Sequence, residues 1–159
     1  MTEYALDLQE ETDYARRWAF SRNPLYYDFD TVGGDCTNFV SQCIYAGGAV
    51  MNFTRDAGWY YFSLHDRAAA WTGVEYFYRF IVTNEGAGPY GFQVSAADAC
   101  PGDVIQLGNG AGFYHSLFVL RNEGEPYVAA HTGDAFDRPL SSYNYERVRC
   151  LHIVGARRY

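Results

Sequence analysis

The sequence predicts an α+β domain, helices first and an antiparallel sheet after them, and three observations carry that prediction. Apolar residues recur at helical spacing in three stretches of the first half, the last fading at Asn84. From about residue 100 the period changes to short β-rich runs, Val104 to Leu107, His115 to Leu120, Tyr127 to His131 and Val148 to Val154, parted by glycine-bearing turns. The 159 residues are 48% hydrophobic and 18% aromatic, with no fixed-period repeat and no low-complexity tract, so they read as one domain over 1–159.

In chain order, Glu3 to Arg22 reads as a first helix, with Ala5, Leu8, Ala15, Trp18 and Ala19 on one side and acidic residues toward its start. Asn23-Pro24 ends it, and Leu25 to Val32 is a loop whose aromatics cover the next helix. That helix follows Gly33-Gly34: Cys36, Phe39, Val40, Cys43, Ile44 and Gly47 fall at i, i+3, i+4, i+7, i+8 and i+11, so one face packs inward. Asp35 stands at its N-cap and Gly47-Gly48 supplies its left-handed stop. The aromatic run Trp59 to Phe62 is a short strand or loop split between core and rim. Thr72 to Glu75 has capping-box spacing ahead of a helix carrying Val74, Phe77, Tyr78, Ile81 and Val82, and Gly86 to Gly91 is a turn.

A net charge of −7, with every basic residue an arginine, argues against a nucleic-acid partner. The segment MTEYALDLQEETD has no apolar leader region and no stretch reaches bilayer length, so the expectation is no membrane partner and a cytoplasmic chain, or a secreted one if a leader was removed. The cysteines at 36, 43, 100 and 150 lack C-x-x-C spacing, and 36 and 43 lie about 10 Å apart along a helix. Reduced thiols are expected, with Cys43, Cys100, Cys150 and His152 assigned to packing and no metal or organic cofactor required.

Cys36 in a first helical turn meets unpaired backbone N–H groups and the positive end of the helix dipole, which favour a thiolate. Inert packing is the competing reading for a cysteine on an apolar face. A base decides between them. A three-residue loop Asn122-Glu123-Gly124 would pair Arg121 with Glu125 and so set His115 opposite His131, both imidazoles on one face of the sheet. A one-residue slip would part them. In that register His115 takes the Cys36 proton and His131 fixes the tautomer of His115, with Asp134 the rival orienting group and the sulfur at the mouth of a cleft.

The blocks GGDCTNFVSQCIYAGG, Trp71 ahead of a helix, GDVIQL, HS at His115-Ser116 and AAHTGDAFDRPLSSYNY together resemble the bacterial "Putative amidase domain" family, within the papain-like, NlpC-type cysteine hydrolase superfamily. The resemblance covers nearly the whole chain. It implies a circularly permuted papain-like fold, N-terminal helices on an antiparallel sheet, and a thiol hydrolase of amide bonds. Carried over residue by residue, it makes Cys36 the nucleophile, His115 the base and His131 the third polar residue, with Asp35 before the nucleophile and backbone N–H groups at the helix start as the oxyanion hole. Its implied substrate is an amide or peptide, cell-wall peptide stems included. The alternatives are acyl transfer from the same thioester and an inactive domain whose Tyr60, Tyr61, Tyr143 and Tyr145 hold a ligand.

Overall fold

The last strand organises the sheet. In the computed structural model, which describes residues 1–159, strand β9 (Arg147–Arg158) pairs antiparallel along one edge with β4 (Gly88–Val94). Along its other edge it pairs with β5 (Val104–Asn109) and then with β1 (Thr2–Tyr4). Beyond β5 come β6 (Gly112–Asn122), β7 (Pro126–Ala130) and β8 (Ala135–Pro139). All but β1 of this sheet follow the first two helices in the chain, and the strands pair antiparallel, so the architecture is α+β.

Three of these strands depart from the expectation. The chain before Leu8 is not helical: Asp7 caps α1 (Leu8–Trp18) by accepting from the Glu10 N–H at 3.1 Å, while Glu3 lies across β9 from Arg157, whose Nε donates to it at 3.1 Å. Residues 88–94, expected as a turn in part, run flush along β9; a Cβ on Gly91 would sit 1.9 Å from the His152 carbonyl oxygen. The short β8 pairs with β7. β1 and β4 owe their form to a partner distant in sequence, β9, which local periodicity does not record, whereas β8 closes a hairpin on its neighbour β7.

Of the helices, α2 (Cys36–Ala46) begins where expected and stops at a left-handed Gly48, with φ +100°. The expected capping box does not form ahead of α4 (Val74–Thr83). Gly73 holds its N-cap position, and Thr72, at the end of the short α3 (Ala69–Thr72), accepts instead from Nε of Arg67 at 3.1 Å. The aromatic run splits between core and surface, Trp59 and Tyr61 buried and Phe62 exposed; β2 (Tyr61–Ser63) and β3 (Asp66–Arg67) make a small hairpin there. No helix is long and apolar enough to cross a membrane.

Strand alternation gives the sheet two packed faces. On the helical face Phe39, Val40, Ile44, Phe77 and Ile81 meet Val104, Phe118, Ala129 and Leu151. On the other, Ile105, Leu107, Leu117, Val119, Val128 and Ala130 lie beneath Ala99 and Leu140.

Helix α2 is buried well beyond one stripe, from Cys36 through Ile44. Burying Thr37, Asn38, Ser41 and Gln42 costs free energy unless each is paired, and each is. Thr37 Oγ1 lies 2.9 Å from Ser116 Oγ, and Asn38 accepts from the Trp71 indole at 3.0 Å. Ser41 accepts from the Trp59 indole at 3.0 Å, and Gln42 accepts from the Tyr14 hydroxyl. At the far end of α2 the side chain of Glu11 lies on Gly47, where a Cβ would come within 2.5 Å of Glu11 Cγ. Burial, with Asp103 and Asp7 nearby, pushes the Glu11 carboxyl up to about 8.

Candidate active site

The turn into α2 is made by Gly33 and Gly34, at φ +85° and +99°, a left-handed pair that brings Asp35 and Cys36 to the sheet. Asp35 does not cap the helix with its side chain. Its Oδ1 accepts from Phe29 N at 2.8 Å and Asn38 Nδ2 at 2.9 Å, and its Oδ2 meets His131 Nδ1 at 2.5 Å. The amides of the first turn, that of Cys36 included, therefore have no capping oxygen from Asp35.

Cys36 is only 6% exposed. Its sulfur accepts from Ser116 N at 3.5 Å and lies 3.8 Å from Thr37 Oγ1. Burial pushes the thiol up; the Ser116 N–H and the Thr37 hydroxyl and amide pull it down, and the Asp35 charge adds to the rise. Burial prevails over the helix start, so the resting sulfur is a thiol and not the expected thiolate.

His115 pairs with Leu107 of β5 and shares the sheet face of Leu117 and Val119, where its ring centroid lies 6.1 Å from that of Tyr143. Only one peptide unit separates Ser116 N from the Cα of His115, so the sulfur lies within about 6 Å of that Cα, a span an imidazole side chain can bridge. Ring and sulfur make no hydrogen bond in this arrangement. Burial first, and then the charge of Arg138, pull the His115 imidazole down to about 4. At neutral pH it is an unprotonated base.

That shift fixes a pH dependence of stability. Above pH 6.5 neither folded nor unfolded chain protonates this ring; as pH falls toward 4 the unfolded chain takes the proton and the folded one does not. Stability is lost on acidification across that window, on the order of 3 kcal/mol in all. Urea midpoints at pH 7 and pH 4.5 should therefore fall further in the wild type than in His115→Gln; equal falls would show that burial does not depress this histidine.

The hairpin register differs from the expected one. The loop is Glu123-Gly124-Glu125, pairing Asn122 with Pro126 and Arg121 with Tyr127, and an irregularity at Leu120 then sets Val119 against Val128 and Phe118 against Ala129. Continued, that register puts His131 against Ser116, so the two histidines point to opposite faces. His131 lies on the helical side, 1% exposed and stacked on Phe39 at 4.2 Å between centroids. Its Nε2 donates to the Trp18 carbonyl at 2.7 Å and its Nδ1 is hydrogen-bonded to Asp35 Oδ2 at 2.5 Å. With both nitrogens committed it does not orient His115. Asp134 does not either: it binds Arg22 at 2.9 Å, and that guanidinium also reaches Asp30 at 2.6 Å and Asp28 at 3.4 Å. Sequence reasoning missed Arg22 and Trp18 as partners, because neither lies near His131 or Asp35 in the chain.

The expected cleft is nearly closed. Cavities of about 500 Å³, lined by Tyr14, Trp18 and Pro24, and about 520 Å³, lined by Met51, Phe53 and Arg158, include neither Cys36 nor His115. Elsewhere, donor atoms of Cys100, Asp103 and His152 gather within 4.8 Å. Asp103 accepts there from Cys100 N at 2.8 Å, His152 Nδ1 at 2.9 Å and Ile153 N at 3.1 Å, which makes it a staple between the turn before β5 and β9.

Residues 5–154 match a family described as "Putative amidase domain". Over 140 residues the chain is 34% identical to a protein of Bacillus subtilis (strain 168) described as "Uncharacterized protein YhbB", a match that takes in 84% of this chain and 42% of that protein. The chain thus spans less than half the length of that relative. No solved structure matches it.

Proposed function

From a chain that belongs to the family described as "Putative amidase domain", we propose a hydrolase that cleaves amide bonds through a thioester on Cys36, with His115 as its base. The family points to amide hydrolysis in general. The observation that carries the finer reading is the Ser116 N–H on the Cys36 sulfur, because it holds a first-turn thiol beside the backbone of an unprotonated, partnerless imidazole.

In the proposed cycle a rotation of the His115 side chain brings a ring nitrogen to the sulfur. The thiol proton passes to that nitrogen as sulfur attacks the carbonyl carbon, and the oxygen gains negative charge beside the first-turn amides of α2. The C–N bond breaks, the leaving amine takes the proton from His115, and an acyl thioester remains. Water then gives a proton to His115 and its oxygen to the acyl carbon, and the proton returns to the departing sulfur. A helix bearing the nucleophile ahead of an antiparallel sheet bearing the base supports a papain-like arrangement. Peptide substrates, those of cell walls among them, belong to the same proposal.

Acid quenching during turnover of a short peptide or an amino-acid p-nitroanilide, followed by intact-mass and peptide mass spectrometry, tests it. The expected result is an acyl mass on the peptide that contains Cys36. Turnover with no acyl mass on any cysteine overturns the thioester.

A further inference from the structure

Beside the proposed base lies a group of side chains that the cycle does not use. Arg138 meets no carboxylate at ion-pair distance: its Nε donates to Ser142 Oγ at 2.7 Å and one terminal nitrogen donates to the Ser142 carbonyl at 3.1 Å, which leaves its other terminal nitrogen free. Its Cζ stands 3.7 Å from the centroid of the Tyr143 ring, a stacked cation held in place by its own turn. The Tyr143 hydroxyl is buried with the Arg138 side chain beside it yet makes no hydrogen bond of normal geometry, and the Tyr143 ring lies 6.1 Å from that of His115.

A buried hydroxyl without a partner costs free energy, and an arginine short of an anion keeps donors to spare; one bound group can satisfy both. Arg22, by contrast, already faces three carboxylates, those of Asp30, Asp134 and Asp28, so its charge is met within the chain. In a chain of net charge −7, a positive group without an acidic partner next to the base is a local exception to the overall field.

We propose that Arg138 and Tyr143 form a subsite for a substrate carboxylate, so that the amides this protein prefers carry an ionised carboxyl group close to the scissile bond. This deepens the function proposed above and rests on it. The charge that draws His115 down would be partly neutralised when such a carboxylate binds, leaving the base stronger with substrate in place than without it.

Two probe pairs test the subsite: Ala-Glu-Ala-amide with the glutamate linked through its α- or its γ-carboxyl, and the same peptides with the free carboxylate replaced by carboxamide. Two readouts separate the failures. Turnover gives a kcat/KM ratio of carboxylate to carboxamide, and calorimetric binding to the Cys36→Ser protein gives the same preference without chemistry. At least one linkage should show a preference of about tenfold or more, the scale of a charged hydrogen bond. In Arg138→Gln that ratio should collapse toward one, in Arg138→Lys it should survive in part, and in Tyr143→Phe it should fall by less than in Arg138→Gln. A calorimetric preference without turnover would keep the subsite and sink the hydrolase. No preference in calorimetry, binding of neither peptide included, or a ratio that survives Arg138→Gln, overturns the subsite whatever turnover shows.

Discussion

Cys36→Ser should lower kcat by roughly 10⁴-fold while leaving the fold intact. The sulfur is held by one backbone N–H at 3.5 Å and one hydroxyl at 3.8 Å, contacts a serine oxygen can replace, and the volume change is small enough to cost under about 1.5 kcal/mol. What serine lacks is acidity. A neutral imidazole can take a thiol proton as attack proceeds; an alkanol lies much further from its reach, and Asp35, the carboxylate next in the chain, is occupied by His131 and cannot strengthen the base. Melting temperature and near-ultraviolet circular dichroism check the fold, and steady-state hydrolysis checks the chemistry. Retention of most of the wild-type rate would falsify the nucleophile.

A comparable loss, but of stability, should follow from His131→Ala. The His131–Asp35 pair is 1% exposed on both sides, and removing the imidazole leaves a buried carboxylate facing a void and a Trp18 carbonyl without its donor. Breaking such a pair costs about 3–5 kcal/mol, which for a domain of this size lowers the melting temperature by about 10 °C. The double variant Asp35→Asn/His131→Gln should recover part of that loss, because two neutral amides can still share a hydrogen bond. Well below the melting transition, His131→Ala should lose less turnover per folded molecule than His115→Ala. An unchanged melting temperature with turnover abolished would assign His131 to the chemistry instead of the scaffold.

The distinction between these histidines also marks where sequence reasoning stops. Helix α2 and the strands holding Val104, His115 and Val148 were legible because their patterns are local: a repeat of apolar residues at helical spacing, or short β-rich runs between glycines. Glycine in the hairpin was legible too, but Gly124 is the middle residue of the loop and not its last, and an extra residue at Leu120 completes a one-residue change in register. That small difference carried His131 to the other side of the sheet. Strands β1 and β4 left no local signature, since each forms only against the distant β9.

The polar residues of α2 did leave a clue. Asn38, Ser41 and Gln42 interrupt an apolar helix in a chain with three tryptophans, and two indoles, of Trp59 and Trp71, find their acceptors there. Two roles could not be read at all. The bond from His131 to the Trp18 carbonyl spans |i−j| = 113, and the unpartnered hydroxyl of Tyr143 is visible only once the surrounding atoms are placed.

The position of β9 sets an order on assembly. Every contact that β1, β4 and β5 make with it waits for residues 147–158, which follow all three of those strands in the chain. Until they arrive, the edge strands of the nascent polypeptide remain open to rival pairing, so the interval before β9 docks is when this chain is most exposed to aggregation and to binding by chaperones.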